Sequence, residues 1–469
     1  MSIPFGISFI ATVLKKHDYN VHILVFTPQM NIEGILQEFI NTYHPSLFCL
    51  TATSSQFHFM KRVAASIKKI DNEIFTILGG IHASLNPEDT IQCRDFDGLC
   101  IGEGEKAIIE LAHCLELGKK PSSIPNLWIK DIETGAIEKN PPDDFFQDLD
   151  KLPFIDRTLW HIWINDPDRC FSVLIGRGCP NKCSFCSNHA LSRVTKGKYV
   201  RLRAPENIVK EITEIVGKNS KVSSIYLEVE TISVNLQYAY NLFNCLRKFN
   251  ENRNIPIEFG INVSPLKKII ENEDFFIHLK EANFTSINIG LESGSERVRK
   301  EILRRPQYKN EDIISFCALA RKYGIKVMVN VLVGIPGETI DDFHETVVCV
   351  RKCYPDNIQL SIFEPYPGTD LYTSCIEQGL FDPENPEIMQ SERCRAFIDL
   401  PDFSKKKIQF EFFLFNFRVE GFRAFFISGS RALMIATFSD RVFGRLSPVQ
   451  LLQKIRQKRI GKMCLLDFK

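Results

Sequence analysis

The chain has 469 residues, 44% of them hydrophobic and 25% charged, enough for about two to four domains with cores of their own. Its net charge of +1 supplies no overall attraction to nucleic acid or to an anionic membrane. No uncharged apolar run reaches the roughly 18–20 residues of a membrane span; the nearest, Ala424 to Phe438, is interrupted by Arg431. The 15 cysteines are an odd number scattered through a long chain with no secretory leader, so a reducing cytoplasm is expected rather than a disulfide framework.

The first 118 residues alternate helix-like and strand-like runs. Pro4 to Lys16 has helical apolar spacing, Val21 to Phe26 reads as a strand, and Ile32 to Tyr43 as an amphipathic helix. Leu47 to Thr53 is a buried strand, Phe57 to Ile70 a helix, Ile74 to Gly80 a strand, Gly98 to Glu105 a strand and turn, and Lys106 to Leu117 a helix. Strands alternating with helices predict a doubly wound parallel sheet, which binds ligands beyond the carboxyl ends of its strands. Those ends carry Thr51, Ser54 and Ser55, then Gly79, Gly80 and His82, then Gly102, Glu103 and Gly104. They are small, polar and Gly-rich, which admits a bulky ligand close to the backbone and is also ordinary turn chemistry.

Residues 119–170 read as a connector with a hairpin in it (N-L-W-I-K, then E-T-G-A-I). Trp128, Trp160 and Trp163 are expected to pack the domains together. The alternation then resumes with six strand–helix units. The strands are Ser172 to Ile175, Ser224 to Val229 and Ile257 to Asn262, followed by three runs of strand and turn, Ser286 to Ser295, Val327 to Thr339 and Ile358 to Thr369. Six parallel strands predict a partial (β/α)6 barrel, open on one side, with its chemistry at the C-terminal face.

The first of these strands leads into G-R-G-C-P-N-K-C-S-F-C-S-N-H, Gly176 to His189. Cys179, Cys183 and Cys186 sit there in a Cys-x3-Cys-x2-Cys spacing. Three thiols that close together suit a 4Fe–4S cluster with one iron left open. A structural zinc wants four ligands, for which His189 is the available fourth. Three cysteines sharing a loop by chance is the bland alternative. Cys349 and Cys353 repeat the x3 spacing on a helix with no third member.

The cysteine loop, with Phe185 before its third cysteine, resembles that of the radical S-adenosylmethionine (SAM) superfamily. G-L-E-S-G-S, L-V-G-I-P-G-E-T and P-Y-P-G-T follow in the order and spacing of the cobalamin-associated members, and residues 3–118 resemble the cobalamin-binding domain that precedes them. The resemblance implies a cluster on Cys179, Cys183 and Cys186 whose open iron holds SAM and cleaves it to a 5′-deoxyadenosyl radical. It implies SAM contacts from Phe185, Glu230, Glu292, Ser293 and Arg304, with Val333 and Gly334 presenting backbone to the adenine. It implies cobalamin contacts from Thr51, Ser54, Ser55, Gly79, Gly80, His82, Gly102, Glu103 and Gly104.

The sequence departs from the family in four places. The first, central strand of the cobalamin domain is missing, and so is the loop that supplies an axial histidine. Val229–Ser233 keeps only one carboxylate, Glu230, of the usual acidic pair, and I-N-V-S-P stands where an arginine is frequent. The implied architecture is α/β. An N-terminal doubly wound sheet (1–118) is followed by a linker (119–170), a partial (β/α)6 radical SAM barrel (171–375) and a helical C-terminal region (376–469).

The implied activity is methyl transfer to an unactivated carbon of a small-molecule or lipid-like substrate, with a flavodoxin or ferredoxin as electron donor. Radical ring closure or rearrangement without methyl transfer, and a degenerate protein that holds a cluster but turns nothing over, are the alternatives. The Phe-rich C-terminal helices either pack against the barrel or lie beside a lipid-like substrate.

Overall fold

The computed structural model describes residues 3–131, 134–164, 170–306, 308–382 and 393–421. The apolar run 424–438 and the rest of the C-terminal region beyond 421 lie outside these residues.

The N-terminal sheet has five strands in the order β1 (Leu47–Thr51), β2 (Phe75–Gly79), β3 (Gly98–Cys100), β4 (Leu127–Lys130) and β5 (Ile137–Lys139). β1, β2 and β3 are parallel, in the register Leu50↔Leu78 and Leu78↔Leu99. β4 and β5 add an antiparallel hairpin, so the hairpin read from the connector belongs to this sheet. Helices cover both faces. Leu36, Ile40, Val63, Ala64 and Ile67 pack with Leu50, Leu78 and Leu99 on one side; Val13, Leu14, Ile108 and Leu111 pack with Ile77 and Ile129 on the other. The helix Phe57–Ile70 buries Val63, Ala64 and Ile67, the spacing of one helical face.

Residues 21–26 form no strand, although V-H-I-L-V-F is a strand-like run. A strand needs a ladder partner for its backbone groups, and β1 pairs only with β2. The segment is held by side chains instead. Leu24 and Phe26 join one core and Val21 the other, and the Trp163 indole N–H donates to the Ile23 carbonyl (2.9 Å).

The second sheet is all parallel, in the order β13 (Asn357–Ile362), β12 (Lys326–Val333), β11 (Phe284–Glu292), β10 (Glu258–Asn262), β9 (Ser224–Glu228) and β6 (Cys170–Leu174). A two-stranded ribbon, β7 (Gly176–Arg177) with β8 (Arg201–Leu202), brackets the cysteine loop. Helices lie on one face of the six strands. Pro205–Lys218 opens with proline in its first turn and buries Ile208, Ile212 and Ile215, proline lacking an N–H that would go unpaired there. Ile340–Cys353 is capped by Thr339, whose hydroxyl accepts from the Asp342 N–H.

Under these helices Ile225, Leu227, Phe259, Ile261, Ile287, Ile289, Val329 and Val331 are at most 1% exposed. The alternate positions Tyr226, Glu228, Asn262, Asn288, Glu292 and Asn330 are only partly buried and line the concave side. The C-terminal helix Lys405–Glu420 packs outside the strands, against β13 and Ile340–Cys353. Phe415 and Phe403 meet Phe343 there at ring centroid distances of 5.6 and 5.7 Å, so this part of the Phe-rich region builds core.

Candidate functional site

The cysteine loop leaves β6 and turns at Gly178, whose φ of +87° and contact with the Tyr199 carbonyl where a Cβ would stand restrict the position to glycine. The loop is then pinned to the carboxyl ends of two other units. The Ser184 N–H donates to Leu303 O (3.0 Å) and its hydroxyl to Ile302 O (2.6 Å), while the Leu371 N–H donates to Ser184 O (2.9 Å). Cys183 is buried, and Cys179 and Cys186 are partly so. Burial pushes the Cys186 thiol up to about 11, with Cys183, Glu230 and Cys179 adding to it. Burial also raises Cys179, beside Glu230 and Cys183. The three sulfurs thus share one electrostatic site that, without a cation, disfavours thiolate.

Bound iron supplies that charge, since a coordinating thiol is deprotonated outright. One tetrahedral ion would draw thiolates together at about 2.3 Å from itself, whereas a cube of four irons spreads its cysteines over several metals. His189 turns away to Asp370, its Nε2 3.7 Å from Oδ2. The donor set fits a cluster.

Around the loop stand three charged groups. Glu230, just past β9, is reached by solvent, yet enough protein surrounds it that burial raises its carboxyl, against a hydrogen bond with the Asn188 side chain. Tyr199 donates to that same amide (2.7 Å), so the helix after Cys186 is tied to β9. Glu292 ends β11 with φ +63°, a left-handed conformation rare outside glycine, beside a register break in its ladder. Burial raises its carboxyl while Arg305 and Arg393 lower it.

Arg304, expected at the SAM carboxylate, is half exposed and paired with Asp370 (2.5 Å). Its φ of +49° turns the chain so that Arg305 points inward instead. Arg305 Nη1 lies 3.8 Å from Cys183 Sγ, and Nη2 donates to Gly290 O (2.5 Å). Adjacent arginines were visible in the sequence; which one faces the loop was not. Ser293 is fully buried, its hydroxyl near Thr346 and accepting from the Ser295 N–H. The Gly334 N–H donates to Glu338 (2.7 Å) and the Val333 carbonyl accepts from Phe363 (2.8 Å), so those polar groups are engaged within the protein. Phe185 packs on the main core.

The carboxyl ends of the two sheets face each other. Helix Ile81–Leu85 packs on helix Ser187–Leu191, which follows Cys186, and Leu85 meets Gly368 of P-Y-P-G-T. Glu103 is not free for a ligand. It accepts from Arg177 (2.9 Å), from Arg201 (2.8 and 3.0 Å) and from the Phe146 N–H (2.7 Å), and Arg177 also bonds Glu105 (2.5 Å). This clamp joins the domains and no motif announced it.

Ser54 and His82 lie behind the rim, 4% and 2% exposed, in contact at 3.2 Å. His82 is stacked on Phe57 (4.1 Å), and its Nε2 has no partner; burial brings its imidazole down to about 4. Thr51 and Gly80 are exposed and Ser55 and Gly102 partly so. A Cβ on Gly80 (φ +91°) would come within 2.7 Å of Thr51 Oγ1, and one on Gly104 within 2.9 Å of Cys100 Sγ. Gly79 faces Cys100, and the Gly102 N–H donates to Ser84 (2.9 Å). A rim of small residues over a buried imidazole whose Nε2 has no partner among the described residues fits a bulky ligand seated close to the backbone.

The radical SAM superfamily model matches residues 173–350, and the B12 binding domain model matches residues 2–112. The chain belongs to the radical SAM superfamily, among members with an N-terminal B12-binding domain. Its cofactors are a 4Fe–4S cluster, SAM and cobalamin. It is 27% identical over 382 residues to an uncharacterized methyltransferase of Pyrococcus horikoshii, covering 80% of this chain and 79% of that one. It is 25% identical to the anaerobic magnesium-protoporphyrin IX monomethyl ester cyclase of Rubrivivax gelatinosus over 79% of this chain and 65% of that one. To the hopanoid C-3 methylase of Methylococcus capsulatus it is 23% identical, over 78% and 67%. The fold is that of the radical SAM methyltransferase TsrM from Kitasatospora setae, with a TM-score of 0.66 at 19% identity over 81% of this chain and 76% of that one.

Proposed function

We propose that this chain is a cobalamin-dependent radical SAM methyltransferase that methylates an unactivated carbon of a small molecule. The observation that carries the reading is the packing of helix Ile81–Leu85, just past Gly80, on helix Ser187–Leu191, which follows Cys186; it supports a shared site for both cofactors. Cys179, Cys183 and Cys186 hold the cluster by three of its irons. Glu230 and Glu292 would hold the ammonium and ribose of SAM, and Arg305 its carboxylate. Thr51, Ser55, Gly80 and Gly102 receive cobalamin, with His82 beneath them. Together these cofactors supply reductive cleavage of a sulfonium and a methyl group to transfer. The chain's own part is to bind them, aim them at one another across the Glu103 clamp, and keep water out.

Phe185 shields the cluster by packing. A flavodoxin or ferredoxin in the cytoplasm is the proposed electron donor. Among the described residues no helix is long and apolar enough to cross a membrane.

The test is anaerobic reconstitution with iron, sulfide and hydroxocobalamin, followed by an absorption spectrum after desalting and an assay with SAM and reductant. Retained cluster and corrinoid bands with 5′-deoxyadenosine and a methylated product support the reading. Retained bands with a cyclised, unmethylated product favour ring closure, the reaction class of the Rubrivivax relative. Both cofactors bound without SAM cleavage would mean a degenerate, non-catalytic protein.

A further inference from the structure

We propose that the concave face of the second sheet recognises the amino group of a small polar substrate, with Glu228 as its counter-charge. The inference rests on the methyltransferase reading for the reaction that occurs there, and deepens it by naming the substrate class.

The parallel ladders set the geometry. Asn262 pairs with Asn288, and Glu228 lies one step beyond the Leu227–Ile261 pair. With strands about 4.8 Å apart, Glu228, Asn262 and Asn288 form a row across three strands on the inner face. Asn330, opposite Gly290, sits one pleat nearer the carboxyl ends, and Tyr226 one pleat below Glu228. All five are only partly buried, while their neighbours Leu227, Ile261, Ile289 and Val329 are at most 1% exposed under the helices. Parallel strands covered on both sides read as near-continuous apolar runs; here the row is polar across its three middle strands and apolar at its ends, Leu174 beside Glu228 and Met328 beside Asn288, which suits an occupant with one polar group.

The Tyr226 hydroxyl donates to Asn262 Oδ1 (2.7 Å), and Asn262 Nδ2 donates to Val229 O (2.9 Å), so these two are satisfied. The amide oxygens of Asn288 and Asn330 are buried without a donor. The Glu228 carbonyl accepts from the Ile175 N–H (2.9 Å), but its carboxylate makes no hydrogen bond or ion pair among the described residues, and the charge it feels is that of Glu230, of its own sign. A primary ammonium brings positive charge and three N–H donors. An acyl or isoprenoid chain would leave the carboxylate and both oxygens unpaired, and an anion would be repelled. SAM has an ammonium of its own, but Glu230 and Glu292 stand nearer the strand ends for it, leaving Glu228 over.

The experiment uses the full chain reconstituted with cluster, SAM and cobalamin. Small primary amines (amino acids, polyamines, amino sugars), the same molecules N-acetylated, and long-chain fatty and isoprenoid alcohols are each added. Reductant-dependent 5′-deoxyadenosine release and, without reductant, the melting temperature are recorded. At least one free amine is expected to raise the melting temperature and to speed release about tenfold, its N-acetyl form doing neither. Glu228→Gln is expected to raise the KM for that amine about tenfold or more, the size of one lost charged hydrogen bond, with the Kd for SAM within about twofold.

Response only to the alcohols, or equally to N-acetyl forms, overturns the proposal. So does a Glu228→Gln protein that loses SAM instead of amine. Asn330→Leu, which removes an acceptor without touching the carboxylates, provides the same comparison if Glu228→Gln fails to fold. If no condition releases 5′-deoxyadenosine, the methyltransferase reading fails, and the melting-temperature series decides the amine proposal by itself.

Discussion

The two sheets solve the same burial problem in opposite ways. In the N-terminal sheet both faces are covered, and consecutive residues such as Thr76, Ile77 and Leu78 are all at most 2% exposed. Only its loop ends can meet a ligand. In the second sheet one face is apolar and sealed, while the other carries Tyr226, Glu228, Asn262, Asn288, Glu292 and Asn330. A sheet with two covers offers a rim, and a sheet with one cover offers a floor as well. Chemistry that must enclose a reactive group belongs on the second kind, with the first serving as a platform brought up to it.

The sharpest way to break the comparison is at the cysteine loop. Cys183→Ala should abolish the cluster and cut SAM cleavage by about 10³-fold or more, while corrinoid retention by the first sheet persists. Iron and sulfide analysis beside the absorption spectrum checks both halves. If corrinoid is lost as well, the two sites are not separable.

Next in size is the clamp between the sheets. Glu103→Gln leaves Arg177 and Arg201 facing a neutral amide, and breaking a buried pair from one side costs about 3–5 kcal/mol. A fall in melting temperature of that order should accompany a larger radius of gyration in X-ray scattering. Despite burial, Arg201 and Arg177 hold the Glu103 carboxyl below the usual carboxylate value. Its stabilising contribution is therefore present above about pH 4.3 and is lost as pH falls through the lower folded value. Calorimetry across that acid range should show a shallower loss in Glu103→Gln than in the native chain.

Arg305→Ala should weaken SAM binding about tenfold or more, as loss of a charge-assisted bond would, whereas Arg304→Ala should stay within about twofold. Titration calorimetry on the cluster-loaded protein separates them, and the reverse order would return the contact to Arg304. The smallest effect is expected at the rim. Gly80→Ala meets Thr51 Oγ1 at 2.7 Å in a left-handed conformation and should cost about 1–3 kcal/mol, with weaker corrinoid retention and an unchanged cluster spectrum.

Much of this was legible in the chain. The six strands of the second sheet and the cysteine loop follow from period and motif spacing. The failures have physical causes. Val21 to Phe26 has strand composition, but a strand also requires a ladder, and this segment is held by its side chains and by Trp163 without pairing to β1. The hairpin of the connector was visible, but its attachment to β3 depends on that strand's free edge. Glu103 looked like a ligand-facing rim residue because the arginines that claim it lie 74 and 98 positions away in the chain. The Gly334 N–H is engaged by Glu338, and the engagement of the Val333 carbonyl by Phe363 is likewise tertiary.

What the sequence by itself determined is local: which residues make strands, which carry thiols at cluster spacing, where glycines release the backbone, and which strand positions alternate apolar with polar. Only the tertiary structure decided which carboxylates are neutralised and which are left over. Partner choice for a charge depends on distances between segments far apart in the chain, and burial raises or removes the cost of each choice. Glu103 and Glu228 are both glutamates near a strand end; one meets two guanidiniums across a domain interface, and the other meets none.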